Sequence, residues 1–501
     1  MKRALLGVVI TVALLAAFAT MPLTAGAWVG EEFVSGGLLY QVTSESGSTG
    51  TVKVVTWGAG GHPGGAISVP NTVSHNGITY TVNWIENWIW DLSASGITSI
   101  DLSAMQHLTR IEYGFRNANS LQTVILPASL TSVGDYAFAY MGNIRSVDFS
   151  RCVNLDSLGT RVFENSHQLQ TVDFRNTKIE VIPGFTFHQT YGLVDVFMPE
   201  TLLNIGMNAF DKSGIQSLDL RDTNLHDIGG WAFLQSGLRS ISFPATLHVI
   251  GENVFNSNSQ LHTVSFAENS ELEYIGFYAF YGCSNLVNMN LDALGPELTY
   301  IGKSSFEFTG LKVIDLSGAT NLERIYEYTF FSMNRLTDII LPESMKNIDN
   351  NAFDGAINLE TVTFLSMEPP TISEWAFLGV PQHGTVYYRE GATGYTQEDF
   401  AHTQLVEWLF EVIDDGGDGG NGGNGGNGGG GDGGNGGNGG GGEDGGNGGG
   451  GDESAGGGDQ TGSLPKASDA DKSQTILLSL SALVVLALAM MTRQKTARKE
   501  S

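Results

Sequence analysis

The chain repeats itself. A six-residue pattern, I-G-x-x-A-F, recurs thirteen times, with first positions Ile85, Ile111, Val133, Leu158, Ile182, Ile205, Ile228, Ile250, Ile275, Ile301, Ile325, Ile348 and Ile372. The intervals run from 22 to 26 residues, with a mean of about 24. The sixth position is Phe in eleven copies; Trp90 and Arg116 depart from it, and Phe115 fills the slot in the second copy, which is one residue short. Such a period restricts the fold more than any composition does. Each unit is one supersecondary element that cannot bury its apolar face alone, so the units must stack as rungs of a solenoid.

Between these blocks lies a second element, L-x-x-V-x-L/F, as in Leu121–Leu126, Leu169–Phe174 and Leu261–Phe266. Alternation with β-branched residues over five or six positions predicts a strand. The prolines that follow at Pro127, Pro244 and Pro342 end it, because proline offers no donor to a ladder. One strand per rung predicts a parallel sheet on the inner face, with I-G-x-x-A-F as the opposite wall. The expected fold class is an α/β-type leucine-rich-repeat solenoid of about thirteen repeats. Short strands at Leu38–Val42, Thr51–Trp57 and Ile78–Val82 are expected to cap the first rung. Thr385–Tyr388, followed by a helix over Thr396–Phe410, is expected to close the last. Cys152 and Cys283 lie five or six rungs apart, roughly 24–29 Å at ~4.8 Å per rung, beyond the reach of a disulfide. They are expected as small buried hydrophobes.

These residues resemble the BspA-type, or Treponema-type, leucine-rich repeat. The resemblance covers about residues 31–413, including Ile78–Val82 and the closing segment Val386–Gly391. Repeats one and two depart from it, where Ile89 and Phe115 replace the small fifth residue. The resemblance implies a surface-exposed bacterial protein that adheres to extracellular proteins and coaggregates cells.

The ends carry addresses. Lys2 and Arg3, an apolar run from Ala4 to about Ala19, and Ala25-Gly26-Ala27 read as a secretory signal over residues 1–27, with an uncleaved anchor as the alternative. The cap then spans 28–84, the solenoid 85–384 and the closing segment 385–413. Residues 414–463 form a Gly/Asn/Asp-rich flexible linker; within it, 416–452 contain only Gly, Asn, Asp and Glu, which cannot offset chain entropy by burial. Calcium-binding nonapeptide repeats are excluded there, because they need a large apolar residue in each copy. Residues 464–501 hold Leu464, Pro465, Lys466, Ala467 and Ser468, an apolar transmembrane segment 476–491 and a basic tail. This order resembles a cell-wall sorting signal of the L-P-x-T-G type, departing from it at Ala467 and Ser468, and implies a sortase as partner. A permanent membrane helix with a positive-inside tail is the alternative. Either places the solenoid outside the cell, anchored to the wall or plasma membrane.

The net charge of −28 is spread unevenly: residues 28–413 carry 17 basic and 41 acidic groups. That field repels phosphate backbones, so nucleic acid is excluded as a partner. Ten scattered histidines form no H-E-x-x-H or ligand pair, and no Cys-x-x-Cys occurs. The reading is non-enzymatic, without cofactor or metal. Two stripes remain as binding candidates for a protein or glycan ligand. On the strand face stand Asp101, Asp148, Asp173, Asp219 and Asp315, which predict a polar, acidic surface; solvated hydroxyl ladders are the alternative. At the fourth position of I-G-x-x-A-F, aromatic residues alternate with smaller or polar ones: Trp88, Tyr136, Phe185, Trp231, Tyr278, Tyr328 and Trp375 against Gly114, Arg161, Asn208, Asn253, Ser304 and Asn351. Trp231, Tyr278 and Tyr328 would stack on sugars or a partner, unless the alternation only relieves crowding between rungs. The two function classes are an adhesin-like binding module and a structural envelope spacer without a dedicated ligand.

Overall fold

The computed structural model describes residues 29–57, 65–86 and 96–413. The signal segment 1–27, Trp88, Trp90, the linker 414–463, the sorting motif Leu464–Ser468 and the apolar segment 476–491 lie outside these residues. The described part falls within the first of two compact units, Met1–Gly420; the second, Asn421–Ser501, lies outside it.

Each rung contributes two strands rather than one. The L-x-x-V-x-L element forms strands such as Thr171–Asp173, Ser240–Phe243 and Thr361–Phe364. They pair in parallel and in register from rung to rung, Val172 with Val196 and Ile241 with Val264. The residue before the repeat isoleucine, together with that isoleucine, forms a second parallel ladder, pairing Ile182 with Ile205 and Ile205 with Ile228. A two-residue strand is too short to show alternation, so periodicity could not reveal this ladder.

The wall is built from turns, which corrects the α/β expectation. Among the described residues the helical structure is one 3-10 turn, Leu291–Ala293. The cause is backbone handedness. From Tyr136 to Asn351 the fourth position of I-G-x-x-A-F has φ between 55° and 60° in every rung, and a second positive φ follows four residues on, as at Tyr140, Asn165 and Gln189. An L-residue α-helix cannot pass through a left-handed residue every turn. The wall amides instead bond forward to the next rung: Phe163 to Thr186 O at 2.8 Å, Phe187 to Ala209 O at 2.7 Å, Phe210 to Ala232 O at 2.6 Å.

The core is a column of phenylalanines. Twelve rings from Phe115 to Phe377 stack without interruption at centroid spacings of 4.8–5.5 Å. All twelve are fully buried, and Phe115 does take the slot left by Arg116. The glycine after the isoleucine lets rungs approach: a Cβ on Gly276 would stand 2.6 Å from the carbonyl carbon and oxygen of Gly251. Cys152 and Cys283 are buried free thiols, donating to Pro127 O and Phe255 O at 3.4 and 3.1 Å.

Toward the N-terminus, Leu38–Ser46 and Thr49–Trp57 are antiparallel, and Ile78–Glu86 pairs in parallel with both Thr49–Trp57 and Arg110–Glu112. At the other end Thr385–Arg389 joins the inner ladder. The helix expected over Thr396–Phe410 is replaced by turns and a strand, Leu409–Ile413, parallel to Thr385–Arg389. Tyr395, Phe400, Leu405 and Trp408 are all buried. Steps of five residues advance a helix by roughly 140° beyond a full turn, so a helix would scatter these side chains around its axis. Turns let all four reach one core.

Candidate functional site

The strand face holds all five aspartates of the first stripe, and each has a local task. Their Oδ1 atoms accept the backbone N–H two residues on: Ser103 to Asp101 at 2.8 Å, Ser150 to Asp148 at 2.8 Å, Arg175 to Asp173 at 2.9 Å, Arg221 to Asp219 at 3.2 Å and Ser317 to Asp315 at 2.9 Å. These are Asx turns that close the strand and satisfy a donor leaving the ladder. Two of the acids are also neutralised, Asp173 by Arg175 and Asp219 by Arg221, both at 2.6 Å. The Arg221 guanidinium holds the Asp219 carboxyl below the usual carboxylate range, and hydrogen bonds from Ser103 do the same for Asp101.

The inner ladder is interrupted three times: between Thr123–Ile125 and Ser146–Asp148, between Asp195–Phe197 and Ser217–Asp219, and between Asn288–Met289 and Val313–Asp315. Hollows sit at the last two of these breaks. The first, about 330 Å³, is lined by Arg175, Asp195, Phe197, Ser217 and Asp219. The second, about 410 Å³, is lined by Thr263, Ser265, Asn288, Lys312 and Val313. A third, about 570 Å³, shares Val287 and Lys312 with it and adds Arg335, Thr337 and Glu360. Of the five aspartates, Asp219 lines one of these three hollows. Lys312 and Arg335 line the third hollow, and Ile125, Phe197 and Val313 are exposed, so basic and apolar groups stand beside the expected polar, acidic ones. Phe197 lies under the Arg175 guanidinium at 4.5 Å.

The fourth-position stripe is held by its left-handed backbone, with aromatic and small residues sharing one conformation. Tyr278 and Trp375 are exposed, whereas Tyr136, Phe185, Trp231 and Tyr328 are half-buried. Arg161, in an even rung, lies 5.8 Å from the Tyr136 ring and 4.1 Å from Phe185, filling the space between two odd-rung aromatics. Tyr278 and Tyr328 belong to a larger aromatic surface over three rungs. Tyr278 packs edge-on against Tyr281, Tyr281 against Phe308, Phe308 against Phe331 and Phe331 against Tyr328, at 5.5–5.8 Å. Nearby, Tyr274 and Tyr300 are stacked at 4.8 Å, and Tyr326 follows at 5.0 Å. Sequence reasoning missed Tyr274, Tyr300 and Tyr326. The signal was present in the Tyr-Ile pairs 274–275 and 300–301, which are strands of the second ladder.

Catalytic groupings are sparse. No group of three His, Cys, Asp or Glu residues suited to a metal occurs among the described residues. Burial pushes the Cys152 and Cys283 thiols up to about 12, far from a nucleophile's range. His188 Nδ1 stands 2.9 Å from Asp211 Oδ2 in the wall. Among the described residues no helix is long and apolar enough to cross a membrane.

A model of the family described as "BspA type Leucine rich repeat region" matches residues 92–216, 180–312, 268–383 and 299–411, which together exceed half of the chain. No curated protein matches it. Among solved structures, a leucine-rich repeat protein from Bacteroides ovatus is 21% identical, with 76% of this chain and 100% of that one covered and a TM-score of 0.43. A leucine rich cell surface protein from Faecalibacterium prausnitzii is 18% identical, covering 67% and 94%, with a TM-score of 0.39. The pneumococcal vaccine antigen PcpA is 16% identical, covering 77% and 99%, with a TM-score of 0.41.

Proposed function

Since this chain belongs to the BspA-type leucine-rich-repeat family, we propose that it is an exported, adhesin-like scaffold that binds an extracellular protein ligand on its strand face. The observation that carries the reading is the two ladder breaks that hold hollows, which combine an exposed apolar side chain, Phe197 or Val313, with charged and polar neighbours. A rigid sheet with apolar centres in a polar surround is what a protein partner needs for affinity and register. In this reading residues 28–84 cap the first rung and residues 1–27 direct export. Residues 414–463 act as a spacer, and 464–501 anchor the chain in the envelope, with Leu464–Ser468 offered to a sortase.

The test is an array of matrix proteins, mucins and glycans probed with the full chain at physiological salt. Saturable capture of a protein, weakened at least tenfold by Phe197→Asp or Val313→Asp, is the expected result. Silence across the array, or capture indifferent to both substitutions, would remove the strand face as the binding surface.

A further inference from the structure

The chain holds cations in a recurring way. At five places among the described residues, a basic side chain lies over an aromatic ring while a carboxylate flanks it. Arg161 lies 4.1 Å from Phe185 and 2.7 Å from Glu164. Arg175 lies 4.5 Å from Phe197 and 2.6 Å from Asp173. Lys303 lies 5.2 Å from Tyr328 and 2.7 Å from Glu327, and Arg324 lies 5.1 Å from Tyr326 and 2.9 Å from Asp349. Arg110 does the same between Trp84 and Glu112. The ring quadrupole and the carboxylate attract the same charge, so each pair of groups forms one cation seat.

At a sixth place the ring and the carboxylate are present without a cation of the chain's own among the described residues. Tyr274 and Tyr300 stack at 4.8 Å with planes 4° apart, and Phe277 meets Tyr300 edge-on at 6.1 Å. Tyr326 covers the far side of Tyr300, so the open face belongs to Tyr274 and turns toward the preceding rung. That rung supplies Val249, paired with Tyr274 and too short to cover the ring, and Gly251, against whose carbonyl Gly276 packs. It also supplies Glu252, exposed and unpaired among the described residues, whose backbone nitrogen would stand 2.7 Å from a Cβ on Gly276, two residues after Tyr274; its charge acts on the Tyr274 and Tyr300 phenols, behind the larger effect of their burial.

We infer that Tyr274, Tyr300 and Glu252 form a seat for a Lys or Arg side chain presented by a basic protein segment. The inference rests on the scaffold reading and names a second contact surface for it. Charge complementarity selects the occupant: residues 28–413 carry 17 basic against 41 acidic groups, so a cationic segment is drawn to the whole solenoid and held at this seat. Tyr274 and Tyr300 supply the apolar faces and Glu252 the counter-charge, the same division that Tyr326 and Asp349 make for Arg324.

The probe is a labelled hexa-arginine peptide titrated against the full chain at physiological salt. Glu252→Gln removes the counter-charge at an exposed position. Val249→Arg places the chain's own guanidinium beside Tyr274, in the column that Arg324 occupies two rungs beyond Tyr274. Each is expected to weaken the peptide at least tenfold with an unchanged circular dichroism spectrum, while Asp156→Asn, at an exposed acid elsewhere, changes affinity less than twofold. Equal affinity in Glu252→Gln and Val249→Arg would overturn the seat. So would an equal loss in Asp156→Asn, which would mean diffuse attraction. Glycan binding sensitive to the same two substitutions, with no peptide binding, would make the surface a sugar platform and also overturn it. A chain that captures a matrix protein through Phe197 yet ignores the peptide would end this inference and leave the scaffold reading standing.

Discussion

Two columns run up the same wall at the same spacing and obey different rules. The phenylalanine column keeps its chemistry from Phe138 to Phe377, because each ring is fully buried against its neighbours and any other volume leaves a void or a clash. The fourth-position column keeps only its backbone. Tyr136, Arg161, Asn208, Trp231 and Ser304 share φ values of 55–58° with side chains that have nothing else in common. Buried positions select a shape. The turn positions of the wall select an angle, which Asn adopts cheaply and a bulky residue adopts only when the surroundings hold it. Here the holding comes from forward hydrogen bonds, such as Trp231 N–H to Glu252 O at 2.9 Å and Tyr278 N–H to Lys303 O at 3.1 Å.

This contrast can be broken by substitution. Phe233→Ala should cost about 3–5 kcal/mol, the usual penalty for emptying a buried aromatic site. Chemical denaturation would read it, and a cost under ~1 kcal/mol would mean that the column is not the core it resembles. A smaller effect, about 1–2 kcal/mol, is expected for Asn208→Val, which puts a β-branched residue at φ 55°. Asn208→Gly should stay within ~0.5 kcal/mol, and equal losses in the two would show that the side chain rather than the angle matters. The smallest effect concerns Glu307, beside the aromatic surface. Burial raises its pKa, so its contribution is fully present below the ordinary carboxylate range and lost as pH rises through the raised value. Glu307→Gln escapes that loss and should melt ~1 °C higher at neutral pH, with the difference vanishing near about pH 4. A destabilised variant at neutral pH would reverse the sign and refute the burial argument.

Much of the frame was legible beforehand because burial writes a period into the chain. The isoleucine and phenylalanine positions, the inner strands, the substitution of Phe115 for Arg116 and the strands expected from Leu38, Thr51 and Ile78 all follow from apolar spacing. The site was less legible. The five aspartates were visible, but their Asx turns depend on the i+2 amide leaving the ladder, which spacing alone does not state. Tyr278 and Tyr328 were singled out, whereas Tyr274, Tyr300 and Glu252 were not, because each stands alone in its own rung. The helix expected at Thr396–Phe410 shows the limit from the other side: helical propensity there yields to four side chains that must share one core.

By itself, then, the amino-acid sequence determined the number of rungs, the residues of the core, the polarity of the array and its lack of metal-ligand and thiol motifs. Those are properties of one chain direction, and burial repeats them every 22 to 26 residues. Tertiary structure alone decided that the wall is made of turns, where the inner ladder breaks and which exposed residues become neighbours. Stacking brings Tyr274 and Tyr300 to 4.8 Å. The physical reason is that lateral contact between rungs depends on the length of each intervening loop and the sign of φ in each turn. Both are set by the whole stack closing its backbone hydrogen bonds together.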